Sequence, residues 1–251
     1  MLHGPQYLLK GFGLIIQPGV RLYVVVPLLI NVLIFAGVIV YGAHLYGDFI
    51  EWLVPDWLVW LNWLLWPLFA IVALVLVFFC FAIIANLVGA PFNGFLAEAI
   101  ETKLTGRAHE NQSEWTTLPR QMISSLFAEL HKLIYFVLWA IPLLILFLIP
   151  GLNVAAPFLW ILFSAWVLAL EYASYPMENH GITFKEQRRL LASKRLLALS
   201  YGGTALVITV IPILNFIAMP VAVAGATAMW VDQLAKTMGG DDQRNVRTNN
   251  R

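Results

Sequence analysis

Two stretches of this chain, residues 24–46 and 57–85, run without a single Asp, Glu, Lys or Arg. Each is longer than the ~20 apolar residues that a helix needs to cross the ~30 Å hydrocarbon layer of a bilayer. A helix that is apolar all round has to be enclosed by protein or by lipid. Across the whole chain 61% of the 251 residues are hydrophobic and 12% charged, against ~45–50% and ~25% in soluble domains, so too little polar sequence is left to enclose them. The chain therefore reads as an all-α integral membrane protein, with residues 1–236 as a single helical membrane domain. Residues 237–251, which include "GGDDQRNVRTNNR", have almost nothing to bury and are expected to be disordered. The one cysteine, Cys80, lies inside an apolar run and excludes a disulfide framework. The N-terminus lacks both a basic region ahead of its apolar run and a small-residue cleavage site, so the first span is expected to remain as an anchor.

Two further apolar blocks, 133–170 and 204–231, are of a different kind. "IPGLN" (149–153) interrupts the first and "IPILN" (211–215) the second, and proline followed by glycine or asparagine is turn chemistry. Each half is then expected to run ~11–18 residues, and at ~1.5 Å per residue the shorter halves fall short of a full crossing. Charge placement leads to the same expectation. The connection 47–56 holds Asp48, Glu51 and Asp56 and no cation, while all fifteen basic residues fall in the other polar regions. The positive-inside rule puts those regions on one side, so both blocks must enter and return by the same face. The expected architecture is two long transmembrane helices, about 24–46 and 57–85, two partially inserted, re-entrant hairpins at 133–170 and 204–231, and a cytoplasmic helical part. The hairpin tips "IPGLNVAAP" and "IPILNFIAMP" share a pattern that suggests an internal repeat. Broken, repeated helices are a transporter device, although two turns with similar capping needs would look alike as well.

Shorter pieces surround this frame. Residues 5–17 gather Leu8, Phe12 and Ile15 on one face and predict a short helix lying on the membrane surface. Residues 91–105, "PFNGFLAEAIETKLT", predict a separate helix that starts after a Gly-Ala-Pro break and stops at Gly106. Glu98 and Glu101 lie at i,i+3 on it, more as a solvated helical face than as a reactive pair. Tryptophans 52, 57, 60, 63 and 66 predict an interfacial belt at the start of the second span.

The stretch "QPGVR" (17–21) raises a charge problem. Arg21 opens an apolar helix, and the first 47 residues contain no Asp or Glu to pair with it. Pro18 suits a turn entry, Gly19 lets the backbone approach a ligand closely, and the amides of Val20, Arg21 and Leu22 are expected to be free first-turn donors. Such a helix start attracts anions, and Arg21 adds a planar fork of donors. Read alone, the same arginine fits a lipid-phosphate contact or a marker of the positive side.

"QPGVR...VPLLIN", "NLVGAPFNGFLAE", "LFLIPG", "LFSAWVLALEYASYP" and "MPVAVAGATAMWVD" together resemble the CysZ sulfate permease family of bacterial inner membranes, in order and spacing, from about residue 5 to 235. The resemblance implies sulfate uptake for cysteine biosynthesis, two long membrane helices with two partially inserted hairpins, a multi-pass protein of the inner membrane, and assembly into homo-oligomers. The ligand implied is sulfate, with sulfite as a further candidate and membrane lipid as the surrounding partner. The family's Pro-Gly-hydrophobic-Arg-Arg loop falls on Pro18, Gly19, Val20, Arg21 and Leu22, so the sulfate-binding candidates are Gly19, Val20, Arg21 and Leu22. Leu22 departs from the pattern by replacing the second arginine. Candidate pathway residues are Asn31, Asn93, Glu98, Arg120 and Glu171.

Other classes fit less well. The five histidines show no metal-ligand spacing and no nucleophile has a nearby base, so no enzyme, metal or cofactor is expected, and nothing points to nucleic acid. The absence of a Gly-Lys-Ser/Thr phosphate loop excludes a primary pump. "EAIETKLTG...TLP" resembles the coupling loop of an ABC-type permease subunit, with the wrong glycine spacing. A non-transporting membrane interaction protein is the remaining alternative.

Overall fold

The computed structural model describes residues 3–53, 62–106 and 118–237, and among them all regular structure is helical. The elements are α1 (Gly4–Ile15), α2 (Leu22–Leu53), α3 (Asn62–Thr105), α4 (Leu118–Leu148), α5 (Ala156–Asn179), α6 (Phe184–Ser193), α7 (Arg195–Val210) and α8 (Pro212–Met229), the last running into a π-helical turn, Trp230–Leu234. The chain divides into two compact units. One is Met1–Val24 with Pro91–Arg251; the other is Val25–Ala90. Trp57, Trp60 and the expected disordered tail from residue 238 onward lie outside the described residues.

The smaller unit holds most of α2 and the first part of α3, whose apolar side chains point outward: Leu29, Val32, Leu33, Val40, Trp63, Leu68 and Ile71 are all exposed. At 32 and 44 residues the two helices are ~48 and ~66 Å long, ample for a crossing. The expected break before residue 91 is absent, and α3 continues through Pro91 to Thr105. Phe92, Asn93, Phe95, Leu96 and Ala97 just beyond it are buried, and burying that face offsets the roughly 3 kcal/mol that a helix-interior proline costs. The helix stops where expected, at Gly106, whose φ of +70° suits glycine alone among common residues.

The larger unit carries the core. α5 packs along α7, and α1 packs against α8 and α7. Small residues make this possible. A Cβ on Gly202 would collide with the Ala165 carbonyl, and one on Gly11 with the Val221 carbonyl; one on Gly225 would come within 2.6 Å of the Tyr7 carbonyl. Backbone-to-backbone approach of this kind is how helices associate where lipid competes with every apolar contact. The apolar face of α1 is accordingly buried in protein, with Tyr7, Leu8, Leu14 and Ile15 in the core; the expected surface-lying helix is corrected to an internal one, only Leu9 and Ile16 remaining outside.

The first motif forms a turn, and the second breaks the helix at Ile211 alone, its other residues opening α8. α4 and α5 are joined through Ile149–Ala155, with Gly151 at φ +89°, and α7 passes to α8 at Ile211, with Pro212 as the first helical residue. The halves of the second pair, with 16 and 18 residues, fall in the expected range, and those of the first are longer than expected. α4 runs 31 residues and α5 24, because both helices continue past the apolar blocks into stretches that carry Lys132 and Glu178. Among the described residues Ala156–Asn179 and Ile217–Thr237 are long and apolar enough to cross a membrane, whereas α7, with 16 residues, reaches only ~24 Å.

Candidate functional site

The link between α1 and α2 is fixed from inside. Val20 is buried to 1% exposure, so the Pro18–Arg21 turn is pinned to the core by one side chain while its neighbours face out. Gly19 takes φ +88°, which a side chain would strain. The Gln17 carbonyl accepts the amides of Val20 at 3.1 Å and Arg21 at 3.2 Å. Two of the three donors expected to be free are therefore already used, a correction that follows from the chain tightening into a turn before α2 begins. Among the described residues the amides of Gly19 and Leu22 have no backbone acceptor. The Arg21 side chain is exposed and has no carboxylate partner among the described residues, and Leu22 is 61% exposed.

A residue that the sequence reading missed completes the loop. Lys103, in the last turn of α3, donates its ammonium to the Pro18 carbonyl at 3.2 Å. A second cation thus stands beside the Arg21 turn. The only sequence signal was a basic residue in a helix's last turn, which is ordinary capping chemistry and names no distant partner. Within the larger unit, residues 94–101 of α3 are held in place beside this contact. Tyr23 in the first turn of α2 meets Phe95 with ring centroids 6.4 Å apart, the Asn179 amide donates to the Gly94 carbonyl at 2.9 Å, and His180 Nε2 lies 2.8 Å from a Glu101 carboxylate oxygen. The His180 ring rests in turn on Trp230, centroids 5.2 Å apart.

The other sequence candidates are scattered. Asn93 is buried and Glu98 half-buried on the same stretch of α3 as Lys103, so the expected solvated face is corrected: Glu101 is only 12% exposed and takes His180 as its partner. Glu171 is half-buried on α5, where its carbonyl accepts the Ser174 hydroxyl at 2.8 Å. Arg120 lies in the first turn of α4. Asn31 belongs to the smaller unit, on α2, with its side-chain oxygen buried and unbonded among the described residues. Among the described residues no group of three His, Cys, Asp or Glu could hold a metal ion.

Chemically the loop offers donors and positive charge: the Arg21 fork, the Lys103 ammonium and two amides. That set suits a small anion at an exposed helix start. A family model described as "Sulfate transporter CysZ/Etoposide-induced protein 2.4" matches residues 7–220 of this chain. Proteins named "Sulfate transporter CysZ" are similar over nearly the whole length. One from Pseudomonas paraeruginosa is 42% identical over 92% of this chain and 95% of its own. Two from Pseudomonas fluorescens strains are 45% and 44% identical, over 92% and 94% of this chain and 94% of each relative.

Proposed function

This chain belongs to the family described as Sulfate transporter CysZ/Etoposide-induced protein 2.4, and on that premise we propose that it carries sulfate across the bacterial inner membrane, supplying sulfur for cysteine biosynthesis. The observation that carries the reading is identity above 40% to proteins named sulfate transporters over more than nine-tenths of the chain. Helices with outward-facing apolar side chains support a membrane location.

Sulfate is bound first at the Pro18–Leu22 loop. Arg21 supplies a bidentate fork, the Gly19 and Leu22 amides lie at the positive end of α2, and Lys103 adds a second charge. The helix dipole contributes only ~0.3–1 kcal/mol, so the two side-chain cations provide most of the attraction. The α4–α5 and α7–α8 pairs act as hairpins inserted from the cytoplasmic side, with α2 and α3 as full spans, residues 1–236 forming one functional membrane domain. Asn31, Asn93, Glu98, Arg120 and Glu171 are the polar groups proposed to line the passage. Hairpins that stop short of the far side need partners to close a pore, so the working form is a homo-oligomer.

Uptake of radiolabelled sulfate into proteoliposomes that contain only this chain tests the reading. Sulfate-dependent flux above empty vesicles is expected. Flux that requires an added ATPase would instead identify a permease subunit, and no flux with retained sulfate binding would identify a non-transporting protein.

A further inference from the structure

Helix α6 presents three cations, Lys185, Arg188 and Arg189, on ten residues, and among the described residues none has a carboxylate partner. The nearby acids are committed elsewhere. Glu186 closes the helix's own cap, accepting the Thr183 amide at 2.9 Å and hydroxyl at 2.7 Å, and those bonds hold its carboxyl below the usual range. Glu178 is 2.8 Å from the Lys132 ammonium. Arg188 is the most constrained of the three. Its guanidinium lies 4.6 Å from the Tyr135 ring and 5.1 Å from that of Phe184. The two rings meet edge-on, centroids 5.4 Å apart, and Arg188 Nε has no acceptor among the described residues. A guanidinium stacked in this way keeps its outer donors aimed in a fixed direction.

The surroundings say what lies in that direction. Tyr135 continues into Trp139, ring centroids 6.4 Å apart, and Trp139 is 56% exposed. Beyond Trp139 the exposed face of α4 is wholly apolar: Ile141, Leu144, Ile145, Phe147 and Leu148. Behind Tyr135 stands the charged Lys132. Tyrosine and tryptophan at such a change from charge to hydrocarbon mark the headgroup level of a bilayer. We propose that the basic face of α6, centred on the Tyr135–Arg188–Phe184 stack, is a docking site for the phosphate of an anionic phospholipid whose acyl chains lie along the outer face of α4. The site is an interaction surface apart from the Arg21 loop. It rests on the proposed insertion of the α4–α5 hairpin.

Phosphatidylglycerol and phosphatidylcholine adducts on the detergent-purified chain, counted by native mass spectrometry, test the proposal. Each cation near a lipid surface is worth about fivefold in affinity, so wild type should favour phosphatidylglycerol and R188Q/R189Q should lose most of that preference. K236Q, which removes an exposed cation elsewhere, should keep it. Equal preference in wild type and R188Q/R189Q overturns the site, and an equal fall in K236Q reduces it to net charge. Inorganic phosphate should not displace the lipid; displacement at matched concentration would make this a free-anion site instead. A nitroxide at L138C in a C80S background reads the hairpin separately, because accessibility to water-soluble relaxants there would defeat the insertion reading whatever the adduct pattern.

Discussion

The Lys103 ammonium donates to the Pro18 carbonyl at 3.2 Å although 85 positions separate the two residues. The contact carries a cation from the end of α3 to a loop whose own sequence supplies one arginine. The proposed anion site at this loop would therefore depend on how the end of α3 is docked as well as on "PGVR".

Arg21→Ala is expected to abolish measurable sulfate binding while the protein remains folded, because the side chain is exposed. Lys103→Met should weaken binding by ~1 kcal/mol or more, as for a lost bond to a charged group, and Lys103→Arg should retain it. Isothermal calorimetry with sulfate reads all three; unchanged affinity in Arg21→Ala would remove the loop from the mechanism.

Leu22 faces solvent at 61% exposure, so an arginine there meets no packing penalty. Leu22→Arg should tighten sulfate by up to ~1.5–3 kcal/mol and restore affinity to Lys103→Met. A double-mutant comparison of the four proteins checks this. Additive, independent effects would show that Lys103 acts on the loop's shape and not on the anion.

Gly11 and Gly202, at helix crossings, leave no room for an added methyl group. Gly11→Ala and Gly202→Ala each drive a Cβ into a carbonyl of the facing helix, and should destabilise the protein by ~1–3 kcal/mol or more. Thermal unfolding in detergent measures it. Gly13→Ala, on the same helix with open space at its Cβ, is the matched control and should leave the midpoint within error or raise it.

Lys132, 2% exposed, is held by Glu178 at 2.8 Å and by the Ser174 hydroxyl at 2.9 Å. Glu178→Gln removes a charged partner from a buried ammonium and should cost ~1.5–3 kcal/mol, as for a lost bond to a charged group, whereas Lys132→Met with Glu178→Gln should recover much of that loss. Chemical or thermal unfolding of the single and double variants decides it. A double variant as unstable as the single would show that the lysine's shape matters more than its charge.

Single cysteines at Asn153 and Asn215, in a Cys80→Ser background, should resist impermeant thiol reagents added from the side that faces Asp48. Ready labelling from that side would make both pairs full spans. The outcome matters because Ala156–Asn179 has the length for a crossing while α7 does not.

Much of the fold was legible because it depends on local and bulk properties. Uncharged runs beyond the length of a crossing specify helices, since a backbone in hydrocarbon must bond within its own segment. "IPGLN" and "IPILN" specify helix breaks, as proline disfavours continuing the preceding helix and, in the first, Gly151 accepts a positive φ. Arg21 stood out through the absence of any acid nearby. Charge spacing, however, could not tell that α3 would carry Pro91 through without a break, because the compensation comes from packing against distant segments.

Tertiary structure decided the rest. It turned the apolar face of α1 from lipid into a protein core, because Gly11 and Gly225 allow two backbones to touch. It closed two of the loop amides onto Gln17, brought Lys103 to Pro18, and paired Glu101 with His180. Each of these joins groups far apart in the chain, whose meeting depends on the docking of whole helices. Sequence by itself determined which segments are helical and apolar and where a cation stands with no acid nearby in the chain; which distant residues reach that cation's loop was determined only when the helices packed.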